Sequence, residues 1–400
     1  MTRGSDVRAL SGGGAGLPGP GASDRAAARR MSFSVDGWDP SYGASLELEG
    51  QLEESTARID ASVELPAARW RPIDPDAAGP LPEALLFVDG VRRVEAQIWI
   101  DGEARAGGAG AGDAGPGEDL PGDARAGSGP GEPTAALCAS YAAGVVCCCA
   151  AGAHLVTSER RRGLFSVAPH ASDIVTRAGG YKAHHVRIKK AGAPVVTALS
   201  QSLQRRLAEV EVDVAKAARD AAGPALAGNT GGAAPSGHPA ESTSDLLIVD
   251  GPLLGRQHLP RALGYIKSHH ATYLPPDLNA VVGALTPGQR TPAFLMGTSW
   301  DRHSWYLRLP GPKGAPWSGV VRIECPATLP AEEVTRLAGL SQRCLGRFAS
   351  AAYKDSRAPQ NLYPIAGLER ELRRRLGDPR LLYRALREAA RRDAAPALAD

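Results

Sequence analysis

The chain has 400 residues, 43% of them hydrophobic, enough apolar material for one large domain or two ordinary ones and too much for a wholly disordered protein. Its formal net charge of +3 is too small to establish a polyanionic partner by itself. No segment is apolar for long enough to span a bilayer, and the N-terminus lacks the apolar core of a signal peptide, so the expectation is a cytoplasmic protein with no membrane partner. The six cysteines, at Cys138, Cys147, Cys148, Cys149, Cys325 and Cys344, have none of the paired CxxC spacing of zinc sites. The three consecutive ones read as small buried residues of a reduced protein.

In chain order, residues 1–30 are rich in Gly, Ala, Ser, Pro and Arg and form a tail expected to be disordered, with Met31 a candidate start. From Trp38 to Ile73 short apolar series at Leu46, Leu48 and Leu52 and from Val63 to Trp70 suggest an N-terminal arm. Leu85 to Val88 is an unbroken apolar run, a strand buried on both faces, and it stops at Asp89-Gly90. Strict alternation follows from Val94 to Ile100, so the strand continues or turns into a hairpin. Residues 102–134 are a low-complexity insertion, after which Ala135 to Cys149 and His154 to Thr157 continue the sheet as a meander.

Leu203 to Arg219 is the clearest helix, with Leu203, Leu207, Val210, Val214 and Ala217 on one face. Glu211 borders that face, whereas Glu209 falls on the opposite side. Residues 221–244 are a second insertion. Then DLLIVDGPLLGR, Asp245 to Arg256, repeats the earlier pattern of an apolar strand ending in Asp-Gly, here Asp250-Gly251. Paired strands are expected at Phe294 to Gly297 and Trp305 to Leu309, a further strand at Gly319 to Cys325, and helices at Glu332 to Phe348, Leu368 to Leu376 and Leu381 to Ala390. The reading is an α/β protein whose mixed central sheet is flanked by helices: one domain over residues 31–393 with two flexible insertions, closed by a tail at 394–400.

Two strands that each deliver a carboxylate, followed by a glycine that lets a ligand approach, are a way to build a site for a hard divalent ion. Asp89 and Asp250 fit, and Glu211 is the natural third member. Such ions activate water and stabilise charge in phosphodiester hydrolysis. Arginine and lysine clusters at Arg160 to Arg162, at Arg187 with Lys189 and Lys190, and at Arg373 to Arg375 are ordinary solvated faces when taken singly. Tyr265, Tyr273, Trp300 and Trp305 lie among basic residues, where they either pack in the core or offer stacking platforms to a single strand. The adjacent pairs His184-His185 and His269-His270 point to opposite faces of a strand and cannot chelate. No GxxxxGK[ST] loop is present, so the chain is not itself an ATPase.

Four segments in order, FVDGVRR, LLIVDGPL, YIKSHHATYLPP and PQNLYPIAGLERELRRRLGD, resemble the NurA family of DNA repair nucleases over about residues 38–390. The resemblance implies a ribonuclease H-like core and a manganese-dependent nuclease, magnesium being the alternative ion. The implied activities are single-strand endonuclease and 5′ to 3′ exonuclease on DNA, especially single-stranded ends. It also implies a homodimer working with a HerA-like hexameric ATPase. The family's aspartates correspond to Asp89 and Asp250, its helix glutamate to Glu211 with Glu209 as rival, and its basic residue to Lys267, which is expected at the scissile phosphate. The C-terminal metal-binding histidine of archaeal members has no counterpart in LYPIAGLERELR, where Asp355 and Glu369 are the candidate replacements. That departure keeps open a non-catalytic DNA-binding or scaffold subunit. Another ribonuclease H-like enzyme, such as a resolvase with Glu369 or Glu371 as its late-helix acid, also remains open.

Overall fold

The computed structural model describes residues 53–394 apart from 56, 77–78, 102–132, 189–193, 228–244, 270 and 312–316, all within one compact unit, Asp36–Asp400. The terminal tails, the part of the arm holding Leu46, Leu48 and Leu52, and most of both insertions lie outside the described residues.

In chain order the first elements are β1 (Glu53–Glu54), β2 (Arg58–Asp60), β3 (Ala84–Ile100), β4 (Thr134–Cys149), β5 (Gly152–Ser166), β6 (Ile174–Thr176), β7 (Gly179–His185) and helix α1 (Val195–Ala227). They are followed by β8 (Asp245–Asp250), β9 (Ala262–Ile266), β10 (Ala271–Thr272), α2 (Pro276–Ala284), β11 (Phe294–Gly297), β12 (Asp301–Arg308) and β13 (Val320–Pro326). Helices α3 (Ala331–Leu345), α4 (Tyr363–Arg375) and α5 (Pro379–Ala394) complete the described chain.

Among the described residues one 11-stranded mixed sheet runs in the order β2-β11-β12-β13-β9-β8-β3-β4-β5-β7-β6, and β1 pairs with β10 in a separate two-stranded sheet. The centre of the large sheet explains the apolar runs. LLFV in β3 and LLIV in β8 are buried because helices cover both faces. On one face Leu86, Val88, Leu247 and Val249 pack with Leu203, Leu207, Val210 and Val214 of α1. On the other, Leu85, Phe87, Leu246 and Ile248 pack with Val334, Leu337 and Leu345 of α3 and with Ile365 of α4.

Several boundaries differ from the sequence expectation. Helix α1 begins eight residues earlier than Leu203 and extends past Ala221, into the expected insertion, as its many alanines favour. Within the apolar series from Val63 to Trp70 the arm forms a 3-10 turn at Ala67–Arg69, with Trp70 Nε1 donating to the Ala61 carbonyl at 2.8 Å. Helix α4 starts at Tyr363, where Pro364 sits in the first turn without needing its missing donor. No helix of the described residues is long and apolar enough to cross a membrane.

One close approach depends on a glycine. A Cβ at Gly90 would lie 2.6 Å from Glu211 Oε1 and 2.7 Å from Leu207 Cδ1, so β3 and α1 meet there only because position 90 has no side chain. Gly90→Ala should therefore push α1 off the sheet and lower stability by about 1–3 kcal/mol. Urea unfolding of the two proteins measures it, and an unchanged midpoint would refute this contact.

Candidate metal centre

The parallel pairing of β3 with β8 sets Val88 opposite Val249, so the next residue on each strand, Asp89 and Asp250, stand side by side. Side chains alternate faces along a strand, and paired residues of neighbouring strands share one. Asp89 therefore follows Leu85 and Phe87, and Asp250 follows Leu246 and Ile248, onto the face covered by α3 and α4. Val91, two residues further on that face, packs against Leu368 and Leu372, which seats α4 over the strand and presents Glu369 to the two aspartates. One carboxylate oxygen from each of Asp89, Asp250 and Glu369 lies within 4.8 Å of the others.

Hydrogen bonds and ion pairs from neighbouring segments hold Asp250 and Glu369 of this trio in place. Lys267, just past the end of β9, donates from Nζ to Asp250 Oδ2 at 2.6 Å and to Asn361 Oδ1 at 3.0 Å, and lies 4.0 Å from Glu369 Oε1. Asn361 is fully buried and donates in turn to Asp355 Oδ2 at 2.8 Å. Arg357 grips Glu369 with both terminal guanidinium nitrogens, Nη1 reaching Oε1 at 2.9 Å. Asp355 therefore orients its neighbours without entering the trio, and Glu369 takes the third place.

The fit to a metal ion rests on Asp89. Its Oδ1 accepts from the Gly90 amide at 2.7 Å, but its Oδ2 is buried with no hydrogen-bond partner among the described residues. Burial, followed by the Asp250 charge, pushes its carboxyl well above the usual carboxylate range, with Glu369 and Glu211 adding to this and Lys267 opposing it. A divalent cation among these hard oxygen donors would supply the missing contact and relieve the repulsion. Asp89, Asp250 and Glu369 are the residues that would hold it.

Glu211, expected as the third ligand, stands apart from the compact trio. It rises from α1 on the opposite face of the sheet, beside Gly90, and is paired with Arg256 at a buried contact. Burial pushes its carboxyl up, and the Arg256 guanidinium pulls it back. Its rival Glu209 is exposed and pairs with Arg206 at 2.8 Å. Arg256, Arg357 and Asn361 are site residues the sequence reading missed. The only signal available was their position inside or beside the DLLIVDGPLLGR and PQNLYPIAGLERELR segments.

Glu369 lines a small basic pocket with Arg92, Arg93 and Arg373, and two clefts meet at Asp250. The larger, of about 890 Å³, runs along α1 and carries Arg92, Arg205, Lys216, Arg256 and His258 beside Asp89 and Asp250. The smaller holds Lys267, Tyr273, His269 and Arg322, with the Arg322 guanidinium 5.0 Å from the Tyr273 ring centre. Of the four aromatics considered from sequence, Tyr265 and Trp305 are fully buried core residues, while Tyr273 and Trp300 stay partly accessible. His269 is buried, with a ring nitrogen 3.0 Å from the Val320 carbonyl, and His184 lies against the Phe165 ring.

The class defined so far is a mixed α/β protein with a large mixed sheet, helices on both faces, and a carboxylate cluster where two parallel strands bring acids together. No family model matches the sequence, and no curated protein matches it. Among solved structures, the NurA nuclease from Sulfolobus solfataricus aligns over 76% of this chain and 81% of its own, at 9% identity and a TM-score of 0.34. A likeness of that size carries no argument about the chemistry, which rests on the site's own geometry.

Two outcomes follow. Between the unfolded carboxylate pKa and Asp89's raised folded value, the folded chain keeps a proton that the unfolded chain has lost, so stability falls as pH rises through that window. Asp89→Asn removes this dependence: in chelator at neutral pH its melting temperature should exceed wild type's, and a divalent ion should raise only the wild-type value. Arg256→Met strands the Glu211 carboxylate and should cost about 3–5 kcal/mol in urea unfolding. A loss under about 1 kcal/mol would show that Glu211 has other partners.

Proposed function

We propose that this chain is a divalent-metal-dependent deoxyribonuclease with a ribonuclease H-like fold. The observation that carries the reading is the convergence of Asp89, Asp250 and Glu369 within 4.8 Å, beside clefts lined by arginine and lysine. An acid-bearing central strand paired in parallel with a second, between helical layers, supports the fold assignment.

A bound manganese or magnesium ion would polarise the attacked phosphate and lower the pKa of a water. The protein's own groups do the rest. Asp89, Asp250 and Glu369 would hold the ion; Lys267, anchored by Asn361, presents its ammonium where negative charge develops on the phosphate oxygens. Arg357 keeps Glu369 from rotating away. The basic walls of the larger cleft bind the backbone through charge neutralisation, and Tyr273 in the smaller cleft, with Arg322 against one side of its ring, offers its other side to an unpaired base. This favours single-stranded ends as the substrate. The homodimer, the HerA-like translocase partner and the cytoplasmic setting remain parts of the same proposal, resting on the sequence resemblance.

A second reading has a specific observation behind it. Lys267 and Arg357 already neutralise Asp250 and Glu369 without any ion, as a non-catalytic DNA-binding subunit would allow. The two readings part in one assay on end-labelled single-stranded DNA. The nuclease cleaves it with manganese and not in chelator, and Asp89→Ala, Asp250→Ala and Glu369→Ala each lower the rate by about a hundredfold or more, the scale of losing one charge-stabilising group. Glu211→Gln should lower it less than Glu369→Ala; the reverse order would make Glu211 the third ligand. Salt-sensitive binding with no cleavage in any divalent ion would leave the scaffold reading.

A further inference from the structure

The run Cys147-Cys148-Cys149 ends β4 at the tip of the β4–β5 hairpin, which turns through Ala150 and Ala151. Alternation sends Cys148 to the α3 side, where it packs against the Phe87 cluster, and sends Cys147 and Cys149 to the α1 side. In the antiparallel register Cys147 faces His154 and Cys149 faces Gly152, so His154 shares the face of the two thiols. The sulfurs of Cys147 and Cys149 and an imidazole nitrogen of His154 all lie within 4.8 Å of one another. None of the three serves the carboxylate centre. Ala84, which pairs with Cys149, is five positions along β3 from Asp89, about 17 Å at the rise of a strand.

We propose that Cys147, Cys149 and His154 form a second metal site, for zinc. Two sulfurs and one imidazole are the donors that a borderline-soft ion selects and that magnesium or manganese rejects. Zinc bonds of about 2.3 Å to sulfur and 2.0–2.1 Å to nitrogen place tetrahedral ligand atoms roughly 3.5–3.8 Å apart, so the trio needs only small side-chain rotations to close on an ion. The accessibility is graded: Cys147 is buried, Cys149 half-buried and His154 exposed, which leaves the fourth position facing solvent, where a water can complete the shell. Two thiolates and a neutral imidazole balance the charge of the ion, so the buried sulfurs enter the core side without net charge. Bound there, zinc clips the hairpin tip that braces β4, the partner strand of the aspartate-bearing β3.

The test is cobalt titration of the reduced full-length chain. Wild type should develop the near-ultraviolet thiolate-to-cobalt charge-transfer band, and one equivalent of zinc should bleach it. Cys149→Ser, a near-isosteric change at a half-buried position, and His154→Ala, at an exposed one, should each weaken cobalt and zinc binding by about a hundredfold or more, the upper end of what losing a partner of a ligand costs. Cys148→Ser, on the opposite face, and Glu369→Gln, in the carboxylate trio, should titrate as wild type does. Absence of the band in wild type, or its survival at full affinity in Cys149→Ser, would overturn the site. Because the readout is spectroscopic, a negative nuclease assay has no bearing on it.

Discussion

A buried aspartate and a half-buried one, forced side by side by the parallel pairing of β3 with β8, are the constraint on which the rest of this site depends. Carboxylates at that separation inside a protein repel strongly unless cations or protons intervene. The chain supplies cations from three directions: Lys267 beyond the neighbouring strand, Arg357 from the segment before α4, and Arg256 from the loop after β8. Each is attached to a carboxylate, and still Asp89 Oδ2 has no hydrogen-bond partner among the described residues and its carboxyl is held high. The protein's own positive charges hold the acids together without fully satisfying them, which is the condition under which a divalent ion gains most by entering.

The alternation of faces decides which acid joins the pair. A glutamate on α1 borders the buried stripe of its helix, but α1 covers the face opposite to the one Asp89 and Asp250 use. Glu211 reaches the sheet through the space left by Gly90 and meets Arg256 instead. Glu369 arrives on the correct face because Leu368 and Leu372 seat α4 on Val91. The same rule separates Cys148 from Cys147 and Cys149, so that a run of three cysteines becomes a pair of thiols with an imidazole across the hairpin. One strand-level rule therefore positions both clusters of candidate metal ligands, the carboxylates gathered around Asp89 and the softer donors at the hairpin tip.

Much of the scaffold was legible in the residues. The LLFVDG and LLIVDG segments are strands, the Leu203 to Arg219 periodicity is a helix, and the late order of hairpin, strand and helices appears in the structure with shifted ends. The shifts have local causes: alanine-rich sequence prolongs α1, and a proline opens α4 a turn and a half before the first leucine of its apolar pattern. The arm was less legible, because the apolar residues from Val63 to Trp70 are anchored by a Trp70 hydrogen bond and a 3-10 turn and not by strand pairing.

The sequence by itself determined that two apolar strands would each carry an Asp-Gly, because burial on both faces demands unbroken apolar residues and an acid is tolerated only where the run ends. It also supplied the lysine after the second strand. The tertiary structure alone decided that the two strands are neighbours in register and that their acids share a face with α4, making Glu369 and not Glu211 the third carboxylate of the compact set. Strand order, register and the choice of covering helix are fixed by contacts between segments more than a hundred residues apart, and no local periodicity encodes them.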